Sequence, residues 1–242
     1  MFATLTRNFA TYLKRKLNRF GRSKSLIYND FVDAETKLPI LYQPKKYRSM
    51  SQSLYDRHGD RLYLNASERQ VFIDEAHKLL PLERVFCLML VYTGCRLSEA
   101  RNLRKRDLQL SENKISIRTL KRRNGQPVRE VPIPATFSLM LKIIYEGERA
   151  PRGEYLWSAA GRPLARITCY RLVKEVMYTC GLEGIKATPR GLRHTFAANA
   201  MLSGIQLNML QKWMGHASIQ STTRYATVSG PEEQQIAERM WS

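Results

Sequence analysis

Four short segments hold the residues whose types and spacing could do chemistry: Thr93-Gly94-Cys95-Arg96-Leu97-Ser98-Glu99, Leu120-Lys121-Arg122-Arg123, Thr188-Pro189-Arg190-Gly191-Leu192-Arg193-His194-Thr195-Phe196, and Met214-Gly215-His216 ahead of Thr222-Thr223-Arg224-Tyr225. Together they suggest a phosphate site. Arg96 follows a glycine at the start of a short helix, where free backbone N–H groups and the helix dipole favour an anion. Arg190 and Arg193 stand at another helix start on one face, and could offer two guanidinium forks to the same phosphate. Each piece also has an ordinary structural reading. Arg96 has Glu99 as a local ion-pair partner, Lys121 could belong to a solvated basic loop, Gly215-His216 could close a helix, and Tyr225 could be a core tyrosine. The order and spacing of the whole set carry the argument, not any one residue.

That set resembles the catalytic domain of the tyrosine recombinases, the phage integrase and Xer-type family, over Asn65 to Ser229. The resemblance rests on a GxRxSE motif at Gly94, a lysine at a β-hairpin, LRHTFA from Leu192, and a GH…Y segment from Gly215 to Tyr225. It implies that Arg96 and Arg193 are the two family arginines, Lys121 the hairpin lysine, His216 the third-motif histidine and Tyr225 the nucleophile, with Glu99 supporting Arg96. Arg190 departs from the pattern: the family usually has His or Lys there, so an acid–base role gives way to binding of phosphate charge. His194, directly after the second arginine, is expected to pack against it or orient it, and His58 and His77 fall outside every motif and read as surface residues.

The chemistry implied by the resemblance is attack of the Tyr225 hydroxyl on a scissile DNA phosphodiester, giving a 3′-phosphotyrosyl bond and a free 5′-hydroxyl. A phenol with a reference pKa near 10 is a poor nucleophile at neutral pH, so the site must ease its deprotonation and stabilise a pentacoordinate phosphorane. Lys121 is preferred over Arg122 and Arg123 as proton donor to the leaving oxygen, because an ammonium gives up a proton far more readily than a guanidinium. No metal and no other cofactor is implied.

The elements that must position these groups are legible from period and punctuation. A helix is expected to open at Ser67 with a capping serine ahead of Gln70, and a second, more buried one to run from about Leu82 to Tyr92 and stop at Thr93-Gly94. A third, short helix follows from Ser98 to Leu103. Alternation over 115–119 and 128–133 about Asn124-Gly125 predicts a β-hairpin. Helices return at about Thr136–Glu148, Ile167–Cys180, Arg190–Ser203 and Leu207–Met214, and a last one is expected over Glu232–Trp241. The fold class is therefore mainly α with a small antiparallel sheet, an α+β domain. The resemblance implies a catalytic domain over 66–229, with residues 1–65 a basic N-terminal arm or remnant in place of the family's full core-binding domain, and 230–242 a tail that docks on a neighbouring protomer or covers its own core.

With 40 Lys and Arg against 21 Asp and Glu among 242 residues, the net charge is +19, which sets aside a neutral metabolic enzyme and points to a polyanion. An anionic membrane surface and ribosomal RNA share that charge logic, but they explain none of the motif spacing. Lys14, Arg15 and Lys16 in the arm, with Arg101, Arg104, Lys105, Arg106, Arg122 and Arg123, are the expected contacts to the flanking duplex. The same basic, acid-poor start also fits an organelle transit peptide. Four cysteines without metal or disulfide spacing suit a reducing cytosol, and the resemblance implies a prokaryotic or phage-encoded cytoplasmic protein associated with the nucleoid. The implied partners are double-stranded DNA at paired sites, three further copies in a dimer of dimers, and an accessory DNA-bending protein. Two rivals remain: a type IB topoisomerase, and an inactive DNA-binding regulator on the same fold.

Overall fold

The longest apolar run of the chain builds the central helix. In the computed structural model, which describes residues 54–120, 127–147, 153–159, 161–226, 238 and 241, helix α2 (Pro81–Thr93) has every side chain from Val85 to Val91 buried. Each such Val, Leu, Phe or Met contributes on the order of 1.5–3 kcal/mol by leaving water. Proline at its first turn lacks only an N–H that would go unpaired there. Gly94 ends the helix in the left-handed region at φ +58°, and a β-carbon at this position would lie 2.4 Å from the Phe196 ring. The glycine of the first motif is thus required both by its backbone angle and by the close approach of a later helix.

Helix α1 (Ala66–His77) packs beside α2 through Phe72, Ile73 and Ala76. Its cap is Asn65, not the expected Ser67: the Asn65 side chain accepts from the Glu68 N–H and the Glu68 carboxylate accepts from the Asn65 N–H. A serine two residues later was the wrong choice because Asn65 with Glu68 closes a full reciprocal capping box. The expected boundary at 65 also falls inside the folded unit, which begins at Leu54; Leu54, Tyr63 and Leu64 are all buried.

After the short helix α3 (Leu97–Arg101) comes a three-stranded antiparallel sheet, β1 (Leu108–Gln109), β2 (Lys114–Arg118) and β3 (Val128–Pro132), in that order. The hairpin register pairs Ile117 with Arg129 and Ile115 with Val131, so Arg129 shares the buried face with Val131. Helices α4 (Ala135–Tyr145), α5 (Arg166–Thr179), α6 (Pro189–Leu202), α7 (Leu207–Met214) and the single turn α8 (Gln220–Thr223) follow, with a two-residue ladder of β4 (Ser158–Ala159) and β5 (Arg162–Pro163) before α5. The architecture is mainly helical with a small antiparallel sheet, as the sequence implied; β1, the β4–β5 pair and α8 are too short to leave a periodic signal. Among the described residues no helix is long and apolar enough to cross a membrane. The Asn124-Gly125 turn lies outside the described residues, as does the helix expected over 232–241 apart from residues 238 and 241.

Candidate active site

The site closes around Arg193. This side chain, on the buried face of α6 and 8% exposed, donates from Nη1 to the Gly94 carbonyl at 2.7 Å and from Nη2 to the Met214 carbonyl at 2.6 Å. Nη2 also lies 3.1 Å from His216 Nε2. One guanidinium therefore ties the end of α2 to the end of α7. Burial, and then repulsion from Arg96, pull its pKa down to about 10, which still leaves it cationic at neutral pH. Because arginine only donates, His216 Nε2 must be the acceptor, and its Nδ1–H donates to Thr222 Oγ1 at 2.8 Å. His216 is neutral: burial first, then Arg193 and Arg96, lower its pKa to about 3.

Arg96 is fixed by Glu99. Glu99 is buried, with Oε1 accepting from Arg96 Nη1 at 2.8 Å and Oε2 accepting the Arg96 backbone N–H at 2.9 Å. The expected free N–H group at this helix start is consequently occupied, and Arg96 offers its half-exposed guanidinium to an anion, not its amide. Glu99 Oε2 also accepts from Arg129 Nη2 at 2.7 Å. Arg129 then donates from Nη1 to Thr119 Oγ1 at 2.9 Å and from Nε to the Trp213 carbonyl at 2.7 Å. Burial opposes ionisation of Glu99, but the charge and hydrogen bond of Arg129 and the Arg96 contacts hold its carboxyl below the usual carboxylate range.

Arg129 is the residue that sequence reasoning missed. An arginine in a half-buried strand reads as its solvent side, yet its parity with Val131 and Ile133 was a usable signal that it points inward. Gly215, left-handed at φ +63°, leaves room for it: a β-carbon there would stand 2.9 Å from Arg129 Nη1. An open cleft of about 260 Å³ between the hairpin and α7 is lined in part by Thr119, Arg129, Lys212 and His216.

Tyr225 lies on the other side of His216, its ring stacked on the imidazole with centroids 6.5 Å apart and planes within 10°. It is only 2% exposed, packed with Leu54, Tyr63, Ala197, Leu210 and Met214. Its hydroxyl lies 2.8 Å from His194 Nδ1. His194 therefore meets the tyrosine and not Arg193, the partner expected for it. Burial raises the Tyr225 pKa, opposed by Arg193, Arg224, Arg190 and Arg96. Arg190 and Arg193 do not act as a matched pair: Arg193 is buried and Arg190 is exposed on the first turn of α6.

Three of the expected duplex contacts have partners within the protein. Arg101 Nε donates to the Leu164 carbonyl at 2.8 Å, Arg104 pairs with Glu154 and covers the Tyr155 ring, and Arg106 lies 3.6 Å from the same Glu154. Lys105 is half-buried in the 3₁₀ turn that follows Arg104. His58 and His77 are exposed. Lys121, Arg122, Arg123, Lys14, Arg15 and Lys16 lie outside the described residues.

Comparison with known proteins follows the same outline. A tyrosine recombinase XerA of Pyrococcus furiosus is 32% identical over 161 residues, 65% of this chain and 54% of its own length. A tyrosine recombinase XerD of Bradyrhizobium diazoefficiens is 27% identical over 242 residues, 92% of this chain and 74% of its own length. The chain spans about half the length of the XerA relatives it matches from P. furiosus, Thermococcus kodakarensis and Thermococcus onnurineus. The crystal structure of XerA recombinase superposes with a TM-score of 0.64 at 25% identity, over 74% of this chain and 64% of that one. The catalytic domain of bacteriophage HP1 integrase shares the fold, with a TM-score of 0.52 at 22% identity over 73% of this chain and 93% of that one. The family model described as the phage integrase family matches residues 63–230, which contain every motif gathered around Arg193, and the chain belongs to that family.

Proposed function

We propose that this protein is a site-specific DNA recombinase that cuts and rejoins duplex DNA through a 3′-phosphotyrosyl intermediate on Tyr225. The observation that carries the reading is the placement of Arg193, which holds Gly94, Met214 and His216 at once and so brings three separated motifs to one point beside Tyr225. Of the five N–H groups of a guanidinium, three are used in these contacts, and Nε–H and one Nη1–H remain for a phosphate oxygen. Arg96 supplies the second guanidinium, already oriented by Glu99. Such fixed donors stabilise charge that develops on non-bridging oxygens without reorganising during reaction.

In the proposed reaction the Tyr225 oxygen bonds to phosphorus as the bond to the 5′-oxygen breaks, and that oxygen leaves with a proton from Lys121. The 5′-hydroxyl of a partner strand reverses the step, so the phosphodiester bond is conserved. Arg190, permanently charged, adds field and not proton transfer. Paired sites, a dimer of dimers, a DNA-bending accessory protein, a basic arm ahead of the unit that begins at Leu54 and a docking tail at 230–242 complete the proposal, with action in a prokaryotic cytoplasm on nucleoid or mobile-element DNA.

The test is a nicked suicide duplex carrying a site selected from random-sequence DNA by binding. Wild type is expected to yield a covalent protein–DNA band on denaturing electrophoresis and Tyr225→Phe none. A band that persists in the variant, or no band from wild type on DNA it binds, overturns the assignment.

A further inference from the structure

We propose that His194 is the proton acceptor for the Tyr225 hydroxyl. The inference rests on the strand-cleavage reading above and adds to it a residue for the step that a buried phenol makes hardest.

The geometry is direct. His194 Nδ1 lies 2.8 Å from Tyr225 Oη, both side chains are buried, and no other hydrogen bond to that hydroxyl is formed among the described residues. His194 Nε2 is buried and has no hydrogen-bond partner among them. A neutral imidazole carries its one proton on either nitrogen. With the proton on Nδ1, the imidazole donates to Oη, the phenol hydrogen is left without an acceptor, and Nε2 holds an unused lone pair. With the proton on Nε2, the phenol donates to Nδ1 and both groups are satisfied at the contact. Among the described residues either tautomer leaves one buried donor unpaired, the phenol O–H or Nε2–H, and in the second the Tyr225 proton points at the Nδ1 lone pair.

Accepting that proton creates no new unpaired donor, because Nε2–H is already present and only Nδ1 changes state. The charges around the ring set when this can happen. Arg190 and Arg193 lie on the same helix and Arg224 precedes the tyrosine; after burial, these three cations are what keep His194 neutral in the DNA-free protein. A phosphodiester bound between Arg96 and Arg193 brings a negative charge that offsets them, so the imidazole becomes more basic as the target arrives. Among the described residues no other neighbour can replace it. Arginine at neutral pH has no lone pair to accept with, and His216 Nε2 already accepts from Arg193 while its Nδ1–H is given to Thr222.

The step balances as follows. The Oη–P bond forms while the Oη–H proton moves to His194 Nδ1, and the P–O5′ bond breaks as Lys121 protonates the leaving oxygen. Rejoining returns each proton to its origin.

The experiment pairs His194→Asn, which keeps a short polar group near Oη but no basic nitrogen, with fluorotyrosines of decreasing phenol pKa at position 225, all read as the rate of covalent adduct on the suicide duplex. His194→Asn is expected to cleave on the order of 10²–10⁴-fold more slowly, and the deficit to shrink steadily as the phenol becomes more acidic, since an ionised nucleophile needs no acceptor. A variant as fast as wild type, or a deficit that ignores phenol acidity, overturns the proposal. Nitrogen-15 NMR of the wild-type protein without DNA gives an answer independent of whether the variant folds: Nδ1 of His194 should show the shift of an unprotonated nitrogen, and a protonated Nδ1 refutes the proposal. Failure of the parent reading looks different, because then wild type itself forms no adduct.

Discussion

The two halves of the site are held by different kinds of force. On the arginine side the groups are tied by a network of hydrogen bonds: Glu99 takes three N–H groups, Arg129 gives three, and Arg193 reaches two carbonyls and a histidine. On the tyrosine side the ring is held, among the described residues, by apolar packing and one hydrogen bond, to a histidine whose other nitrogen has no partner among them. Hydrogen-bonded buried charges resist displacement, because separating any pair strands a charge away from water. Apolar contact has no preferred direction and allows a side chain to move along its pocket at lower cost. The contrast suits a reaction in which the phosphate must find a fixed frame while the nucleophile changes covalent partner.

The largest effect that separates the halves should come from Arg193→Ala. It removes the guanidinium and leaves the Gly94 and Met214 carbonyls without their donor, each buried orphan costing about 1–3 kcal/mol. Cleavage of the suicide duplex should fall by at least about 10²–10³-fold, with a lower thermal midpoint. Arg193→Lys should recover part of the stability and little of the rate, since an ammonium cannot span two carbonyls and a histidine. Full activity in the lysine variant would show that the frame is not what organises the site.

Glu99→Gln comes next, and its effect is on the frame alone. Removing the carboxylate charge leaves the buried Arg129 guanidinium uncompensated, and breaking such a pair costs about 3–5 kcal/mol. The pH dependence has a definite sign. The folded-state pKa of Glu99 lies below its ordinary value of 4.5, so its contribution is complete above that pH and is lost as the pH falls through the folded value. Urea unfolding of wild type should therefore weaken from about pH 4.5 downward, and the glutamine variant should show a flatter profile over that range. Equal acid sensitivity in both proteins would remove Glu99 as the cause.

How much of this was legible in the sequence divides along the same line. Arg96 with Glu99 was readable because three residues separate them, and a capping contact over that distance is a local event. Arg193, His216 and Tyr225 were singled out through the motif order, although Arg193 and His216 meet across 23 residues. Arg129 escaped because its partners are 10, 30 and 84 residues away, and in local terms it is one polar residue in an alternating strand. His194 was seen but given the wrong neighbour: adjacency to Arg193 in sequence is divergence on a helix, where successive side chains point about 100° apart, so the two residues reach different walls of the site. The central helix was clear because a wholly apolar run with a glycine stop has few other uses, whereas β1 and the β4–β5 ladder, at two residues per strand, carry no period at all.

The smallest effect should come from Arg190→Ala, and it is the sharpest measure of how far the tyrosine side is tuned by field alone. Arg190 is exposed at the start of α6, so its loss should change stability by no more than about 0.5 kcal/mol. Its charge nevertheless acts on both partners of the hydroxyl contact, lowering the pKa of Tyr225 and of His194. Removing a cation disfavours tyrosinate and favours imidazolium, so both pKa values should rise. The alkaline limb of the cleavage rate should move to higher pH, with a rate loss at neutral pH of only several-fold, as befits a solvent-screened charge worth about 1 kcal/mol or less. The shift should diminish in added salt, since screening at about 10 Å in 0.1 M salt weakens exposed charges far more than the buried contacts of Arg193. A loss as deep as that of Arg193→Ala, or one insensitive to salt, would mean that Arg190 touches the phosphate directly and belongs to the fixed frame.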